Sequence, residues 1–304
     1  MNHFLGFDGK DSSHNTLYLF GFKIRMLKKE IRNMDSDFLE IDDITAVSPA
    51  EGALRKVQLG NLAILKMFDK VAKANNLRYW IDFGTLLGAV RHKGFIPWDD
   101  DIDLGMPRVD YVRVYECLKD NPNLYVFEES NGRNKCFIKV KHKALDTAFL
   151  DIFPYDLYHS KLDEEGKRNL HNKIQKLTKK LKYSLFREDD NAKLNEKLKK
   201  VTKEKLQENK ECLEENCPAL FWGINYPHTW KNRVYDWESI FPLKNLQFED
   251  AEFPVPNEYD FVLTNIYGDY MQPPSNRYPR HTYVQGFNDE KSAILDSIIE
   301  EGNR

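Results

Sequence analysis

Four aspartates within five residues, in the segment Pro-Trp-Asp-Asp-Asp-Ile-Asp at 97–103, constrain the fold of this chain more than any other feature. On an extended strand successive side chains point to opposite faces, so Asp99, Asp101 and Asp103 should share one face. Such side chains lie roughly 7 Å apart, and carboxylates at that spacing repel unless cations neutralise them. Oxygen-only ligands suit Mg²⁺ or Mn²⁺. The segment therefore predicts a divalent metal site on a core strand over 101–105.

Two other interpretations of the acidic segment compete with a catalytic metal site. An acidic surface turn fits poorly, because Ile102 and Leu104 should anchor the strand in a hydrophobic core. A calcium-binding loop that starts at Asp99 needs glycine at its sixth position and glutamate at its twelfth. The sequence has Leu104 and Asp110 there, which disfavours calcium.

A second motif precedes the aspartates, with the sequence Asp-Phe-Gly-Thr-Leu-Leu-Gly at 82–88. A strand that ends in Gly84 and Thr85 at the start of a helix presents backbone N–H groups and a hydroxyl to a phosphate. The same dipeptide also makes ordinary turns and caps. Arg91 follows as the candidate phosphate clamp, since guanidinium groups bind phosphate through paired hydrogen bonds. We therefore predict that Gly84, Thr85 and Arg91 bind a phosphate-bearing substrate.

Composition narrows the class of protein. The 45 basic and 48 acidic residues leave a formal charge of −3, which gives no overall attraction to nucleic acid. The four cysteines lack zinc-ligand spacing and are expected to be free thiols in a reducing compartment; they are Cys117, Cys136, Cys212 and Cys217. No apolar run is long enough for a transmembrane helix, and the polar N-terminus does not resemble a signal peptide. We expect a cytoplasmic protein.

Three regions are predicted along the chain: an N-terminal appendage and linker at 1–47, a catalytic domain at 48–290 and a tail at 291–304. The segment 16–32 mixes apolar residues with five Lys or Arg and one Glu. That pattern suits peripheral contact with the inner face of a membrane, and a strand or helix packed on the main domain is the alternative. Lysine-rich helical periodicity predicts a helical hairpin insertion at 160–210, where acceptor specificity could lie.

The predicted fold class is α+β, with a mixed sheet flanked by helices and an aromatic-rich C-terminal part. The first helix is expected to start at Ser48 as cap and Pro49 as first residue, and to end near Asn75. Short helices should follow Gly84 and Pro107. Strands are expected at 78–83, 101–105, 125–127, 136–141 and 148–153. A last helix is expected at 258–267, ended by Gly268.

The two motifs together resemble the LicD family of phosphocholine transferases and its fukutin-like relatives. The resemblance is carried by Gly-Thr-Leu-Leu-Gly-Ala-Val-Arg at 84–91 and by the acidic segment at 97–103. Ile-Tyr-Gly-Asp-Tyr-Met at 266–271, with Pro273, Pro274, Arg277 and His281, resembles the closing motif of that family, as does the stretch from Phe248 to Pro256. The resemblance spans roughly residues 55 to 285.

This resemblance implies a nucleotidyltransferase-type core with a carboxylate pair on one strand and a third acid on a neighbouring strand. By matching position, Asp101 and Asp103 are the implied pair and Asp151 the third acid, and Asp99 belongs to the same acidic block. Asp151 also stands alone among apolar residues, where a carboxylate is costly unless paired or metal-bound. A salt bridge to a lysine such as Lys139 or Lys141 is the alternative explanation for it, and acceptance of the proton of the attacking hydroxyl is a further role.

The expected reaction is metal-dependent transfer of a phosphorylated alcohol to a sugar hydroxyl of a cell-surface polysaccharide, lipopolysaccharide or teichoic acid precursor. Phosphocholine from CDP-choline is the preferred donor group, with ribitol and glycerol as other head groups. Arg91 would stabilise the charge of the transition state. The alternatives are a nucleotidyltransferase that releases pyrophosphate and a non-catalytic scaffold of a polysaccharide assembly complex. An aromatic cage for a quaternary ammonium, or simply core packing, is expected of Trp222, Tyr226, Trp230 and Trp237.

Overall fold

A computed structural model describes residues 43–130, 135–158, 219–222, 234–272 and 287–304, with short pieces elsewhere. Those pieces are the strands at 7–8, 14–19 and 22–27 and residues 163–166, 168–169, 172, 200, 203–204 and 207–212. The strands before residue 43 belong to a different compact unit from residues 48–272 and 287–304.

The N-terminal unit contains three described strands, β1 (Phe7–Asp8), β2 (His14–Leu19) and β3 (Phe22–Leu27). They form an antiparallel sheet in the order β1–β2–β3. The described part of the segment 16–32 is therefore two paired strands, and membrane contact through it stays a prediction.

The main unit begins with the long helix α1 (Gly52–Ala74), after a short 3-10 turn at Ile44–Ala46. Most of its apolar stripe is buried, as the spacing predicts: Val57, Leu62, Leu65 and Phe68 are buried, and Leu54 and Val71 are partly buried. The predicted start at Ser48 and Pro49 is wrong, because Glu51 is still extended at the N-cap and makes no side-chain capping bond. The predicted end is confirmed by Asn75, whose N–H donates to Val71 O.

The remaining elements follow α1 in chain order. They are β4 (Trp80–Ile81), α2 (Phe83–His92), β5 (Asp103–Pro107), α3 (Arg108–Tyr111), α4 (Val114–Leu118), β6 (Leu124–Ser130), β7 (Lys135–His142), β8 (Leu145–Tyr158), β9 (Ala219–Trp222), β10 (Val234–Asp236), α5 (Trp237–Ile240), β11 (Lys244–Phe248), β12 (Ala251–Val255), α6 (Tyr259–Tyr267) and α7 (Asp289–Gly302).

Seven of the described strands form one sheet around the long strand β8. Its path runs β10–β9–β8–β5–β4, and the β6–β7 hairpin joins through β7. Only the β5–β8 pair is parallel, and the other described pairs in this sheet are antiparallel. The expected α+β class with a mixed sheet flanked by helices is confirmed, and β11 and β12 form a separate hairpin.

Two boundaries near the motifs differ from the sequence prediction. The strand expected at 78–83 is only Trp80–Ile81, because Asp82 caps α2 by accepting a hydrogen bond from the Phe83 N–H. Gly84 therefore lies inside the helix rather than in a turn before it. The strand expected at 101–105 begins at Asp103, so the first aspartates precede the sheet.

The C-terminal elements complete the core. Helix α6 ends at Gly268, as predicted, and Gly268 has a φ of 75°, which favours glycine. Residues 291–304, predicted as a tail, lie mostly in α7, which packs on α1 through the buried Leu295 and Ile298. Most of the predicted hairpin at 160–210 lies outside the described residues. In the described parts of the chain, every helix is too short or too polar to cross a lipid bilayer.

Candidate active site

The parallel pairing of β5 with β8 brings the predicted acids together. Asp103 and Asp151 are directly opposite in the register, and the Asp151 N–H donates to Ile102 O at 2.8 Å. One carboxylate oxygen from each of Asp101, Asp103 and Asp151 lies within 4.8 Å of the others. The carboxylate pair and the third acid named from the resemblance thus form one cluster, which we call the acid cluster.

Asp99 belongs to a neighbouring group rather than to the acid cluster. Asp99, Asp100 and Asp101 also bring carboxylate oxygens within 4.8 Å of one another. Strand alternation would have placed Asp100 on the opposite face, but residues 99–102 precede β5 and are not bound by strand geometry. Asp101 is the member common to both groups.

Charge repulsion at the acid cluster is strong. The pKa of Asp103 is raised well above its ordinary value, first by burial and then by the charges of Asp101, Asp151, Asp99 and Asp82. A group of carboxylates in this state gains from a bound cation. The donor set consists of oxygen atoms alone, which fits Mg²⁺ or Mn²⁺ and not a zinc site. Asp101, Asp103 and Asp151 could hold such an ion.

Lys139 of β7 lies against the acid cluster. Its ammonium donates to both carboxylate oxygens of Asp151, at 2.6 and 2.9 Å, and sits 3.8 Å from the centre of the Phe149 ring. The salt bridge offered as one explanation for Asp151 is present, and Asp151 also lies in the acid cluster. Metal binding by Asp151 stays a prediction, as does acceptance of a proton by Asp151.

The start of α2 lies directly beside the aspartates. Asp82 is fully buried, and its second oxygen accepts from the Tyr155 hydroxyl at 2.6 Å. A Cβ atom on Gly84 would lie 2.7 Å from an oxygen of Asp99, so a larger residue there would displace the Asp99 carboxylate. Thr85 accepts the Asp103 N–H on its hydroxyl oxygen at 2.8 Å. Thr85 thereby fixes the start of β5, and phosphate binding by Gly84 and Thr85 stays a prediction.

Phe83 adds backbone strain at the same point. Its φ of 43° lies in the left-handed region that side chains rarely adopt. Its ring packs edge-on against Phe153, with ring centres 5.4 Å apart. Strained residues of this kind cluster at functional sites, where the surrounding packing holds them.

Arg91 lies two turns along α2 from Gly84 and on the same face, about 10 Å along the helix axis. Its Nη1 donates to Tyr270 O at 3.1 Å, and its buried Nε has no hydrogen-bond partner. Within the described residues no carboxylate forms an ion pair with it, and burial lowers its pKa. The pKa of His92 falls to about 4, through burial and then the Arg91 charge. A buried cation without an acid is suited to an anionic ligand.

Several site residues were absent from the sequence prediction. Asp82 and Asp100 lie within the two motifs but were not predicted as site residues, Tyr155 was not named, and Lys139 was named only as an alternative partner. A buried strand end such as Ile81 followed by Asp is a usable signal for Asp82, because a carboxylate there must be bonded. Tyr155 carries no comparable signal, since its contact depends on sheet order.

The predicted aromatic cage is represented by one described side chain. Trp237 stacks on Phe241, with ring centres 4.3 Å apart, and packs against the hydrophobic core. The side chains of Trp222, Tyr226 and Trp230 lie outside the described residues. Arg277 and His281 of the predicted closing motif lie outside them as well.

A model of one protein family matches residues 76–190, and the family is described as LicD/FKTN/FKRP, nucleotidyltransferase domain. The matched stretch contains α2, the acidic segment and Asp151. Fold, acid cluster and family match together define a phosphotransferase built on a nucleotidyltransferase-type domain. That match agrees with the resemblance carried by the motifs at 84–91 and 97–103.

Three relatives illustrate the range of similarity. The lipopolysaccharide cholinephosphotransferase LicD of Haemophilus influenzae is 28% identical over 257 residues, which cover 75% of this chain and 96% of that enzyme. The human ribitol 5-phosphate transferase FKRP is 56% identical over 89 residues, which cover 28% of this chain and 18% of that protein. Mannosyltransferase regulator 4 of Saccharomyces cerevisiae is 26% identical over 103 residues, 8% of its length.

Proposed function

We propose that this chain transfers a phosphorylated alcohol from a CDP-alcohol to a sugar hydroxyl of a cell-surface glycan precursor. Phosphocholine from CDP-choline is the proposed donor group. The acid cluster formed by Asp101, Asp103 and Asp151 carries the proposal, because its carboxylate oxygens lie within 4.8 Å of one another. The names of the Haemophilus and human relatives, which both describe transfer of an alcohol phosphate, support it.

Different residues of the chain have different roles in the proposed reaction. A divalent metal held by the acid cluster would lower the charge of the diphosphate and of the leaving CMP. The face of α2 between Gly84 and Arg91 binds the phosphates, and Arg91 offsets negative charge that grows on them. The sugar hydroxyl oxygen attacks the phosphorus that carries choline, the bond from that phosphorus to the CMP oxygen breaks, and the hydroxyl proton is released.

Chelation should abolish this activity, and added Mn²⁺ or Mg²⁺ should restore it. The raised pKa of Asp103 motivates the expectation, because the clustered carboxylates need a cation to ionise together. The measurement is release of CMP from CDP-choline, CDP-ribitol and CDP-glycerol, with and without excess EDTA and a glycan acceptor. Full turnover in EDTA would contradict the metal assignment. A preference for ribitol or glycerol would change the donor and leave the reaction class intact.

A nucleotidyltransferase reaction is the second candidate, since the matched family is described by that domain. It would join a nucleoside monophosphate to the acceptor and release pyrophosphate. Incubation with CTP and with CDP-choline separates the two reactions, because the products are pyrophosphate in one case and CMP in the other. A protein that binds these ligands and turns over neither would fit the scaffold alternative.

Arg91→Gln should raise the KM for the CDP-alcohol and lower kcat, with kcat/KM falling about 100-fold, as for a lost electrostatic contact to a transition state. The motivation is that the buried guanidinium has a free Nε and lacks an acidic partner within the described residues. Initial rates over a range of donor concentrations measure both constants. Lys93→Gln is the matched control, because Lys93 is basic, adjacent and exposed. Unchanged constants in Arg91→Gln would remove Arg91 from the donor site.

A further inference from the structure

Two side-chain amides are buried on helix α1, outside the site described above. Gln58 and Asn61 are both 0% exposed. Asn61 interrupts the apolar stripe of α1, since Val57 and Leu65 lie four residues to either side of it and are fully buried too. A buried amide costs free energy unless it is hydrogen-bonded. The partners of these two amides therefore indicate what they do.

Gln58 binds the backbone of the acidic segment. Its Nε2 donates to Asp99 O at 2.7 Å and to Ile96 O at 3.4 Å. Its Oε1 accepts from Arg55 at 3.2 Å, which fixes the orientation of the amide. Arg55 is held in turn by both carboxylate oxygens of Glu249, at 2.9 and 2.5 Å. Gln58 thus links the carbonyl group of Asp99 to the Arg55–Glu249 ion pair.

Asn61 connects the two chain segments that carry the acid cluster. Its Nδ2 donates to Asp100 O at 2.8 Å, in the peptide that leads to Asp101. Its Oδ1 accepts the Phe149 N–H at 2.9 Å, on β8 and two residues before Asp151. One buried side chain therefore connects the segment that carries Asp101 with the strand that carries Asp151.

The acidic segment needs such support because it precedes β5. Residues 99–102 lie outside the strand, and their clustered carboxylates repel one another. A segment free to move would relieve that repulsion by separating the acids. The amides of Gln58 and Asn61 hold consecutive carbonyl groups, those of Asp99 and Asp100, against this tendency.

We propose that Asn61 is a positioning residue that sets the separation of Asp101 and Asp151 and thereby the affinity of the acid cluster for a divalent cation, with Gln58 in support. The inference rests on the proposed function, because it assumes that the cluster binds metal. It adds a residue that lies outside the matched range 76–190.

The test compares Mn²⁺ binding by the wild-type protein and Asn61→Leu, by electron paramagnetic resonance on the full chain well below the unfolding temperature. Asn61→Leu should weaken the Kd by about 10- to 100-fold, the range for residues that orient metal ligands. Gln58→Met should weaken it less. Saturating Mn²⁺ should restore most of the kcat of both variants, because the ligands themselves remain.

Asn209→Leu is the matched control. Asn209 is also 0% exposed, and it accepts the Leu157 N–H at 2.9 Å and donates to Asp156 at 3.2 Å, near the other end of β8. It should lower the unfolding temperature as Asn61→Leu does and leave the Kd for Mn²⁺ within about twofold of wild type, because it is remote from the acid cluster.

Four outcomes would overturn the inference or its basis. A wild-type Kd for Asn61→Leu, or equal weakening in Asn61→Leu and Asn209→Leu, overturns the positioning role of Asn61. If Asn61→Leu does not fold, an unchanged Kd in Gln58→Met overturns it instead. No Mn²⁺ binding by the wild-type protein overturns the proposed metal site itself.

Discussion

Asp103→Asn should lower kcat by at least about 100-fold while raising the unfolding temperature of the metal-free protein, because one charge leaves a crowded cluster. The carboxylate is a candidate metal ligand, so its loss removes a contact to the proposed cation. Asp101→Asn should lower kcat similarly. CMP release and thermal unfolding in EDTA measure the two effects. Asp146→Asn is the control, because Asp146 lies on the same strand as Asp151 and is exposed.

The pH dependence of stability gives an independent check on Asp103. Its pKa is raised in the folded protein, so the folded state holds this proton more tightly than the unfolded state does. The stability from this group is fully present below the unfolded pKa and is lost as pH rises through the folded pKa. In EDTA, wild type should therefore lose more stability than Asp103→Asn as pH rises from 4 to 8. Parallel curves for the two proteins would contradict the raised pKa.

Lys139→Met should lower the unfolding free energy of the metal-free protein by about 3–5 kcal/mol, the cost of leaving one partner of a buried ion pair alone. Asp151 is 7% exposed and loses the ammonium that contacts both its oxygens. Added Mn²⁺ should restore part of the loss, since a metal on Asp151 would supply the missing charge. Denaturant unfolding with and without Mn²⁺ measures both.

The double variant Lys139→Met with Asp151→Asn separates charge from packing. It should be more stable than Lys139→Met alone in EDTA, because the unpaired charge is gone. Lys141→Met is the control, since Lys141 lies on the same strand over the ring of Phe127. Asp151→Asn alone should lose kcat as Asp101→Asn does. Near wild-type turnover in Asp151→Asn would exclude Asp151 from the catalytic cluster and leave Lys139 a purely structural partner.

The members of the acid cluster were predicted from the acidic motif together with the family resemblance, and Asp151 also stood out as a lone acid in an apolar strand. The conformation of residues 99–102 was not predictable from strand alternation. It depends on hydrogen bonds from Gln58 and Asn61, which lie on helix α1 and are distant in sequence. The position of the Asp100 side chain was not predictable from strand alternation either. Its place beside Asp99 and Asp101 follows from tertiary contacts and not from strand period.

Boundaries were less predictable than the elements themselves. The end of α6 at Gly268 was predicted, since a glycine with positive φ stops a helix through its own backbone freedom. The start of α1 was not, although Ser48, Pro49 and Glu51 have the composition of a helix start. Glu51 makes no side-chain capping bond, and the long helix is stabilised by its buried face instead.

The packing of α7 on α1 has a consequence for synthesis of the protein on the ribosome. Helix α1 emerges early, yet Leu295 and Ile298, which cover part of its apolar face, emerge long after the acid cluster has been made. Until then α1 presents uncovered apolar surface, which is prone to aggregation and to chaperone binding. The packing around the helix that supports the acidic segment is therefore completed late. Nascent chains that stop before α7 should be bound by chaperones rather than released as active enzyme.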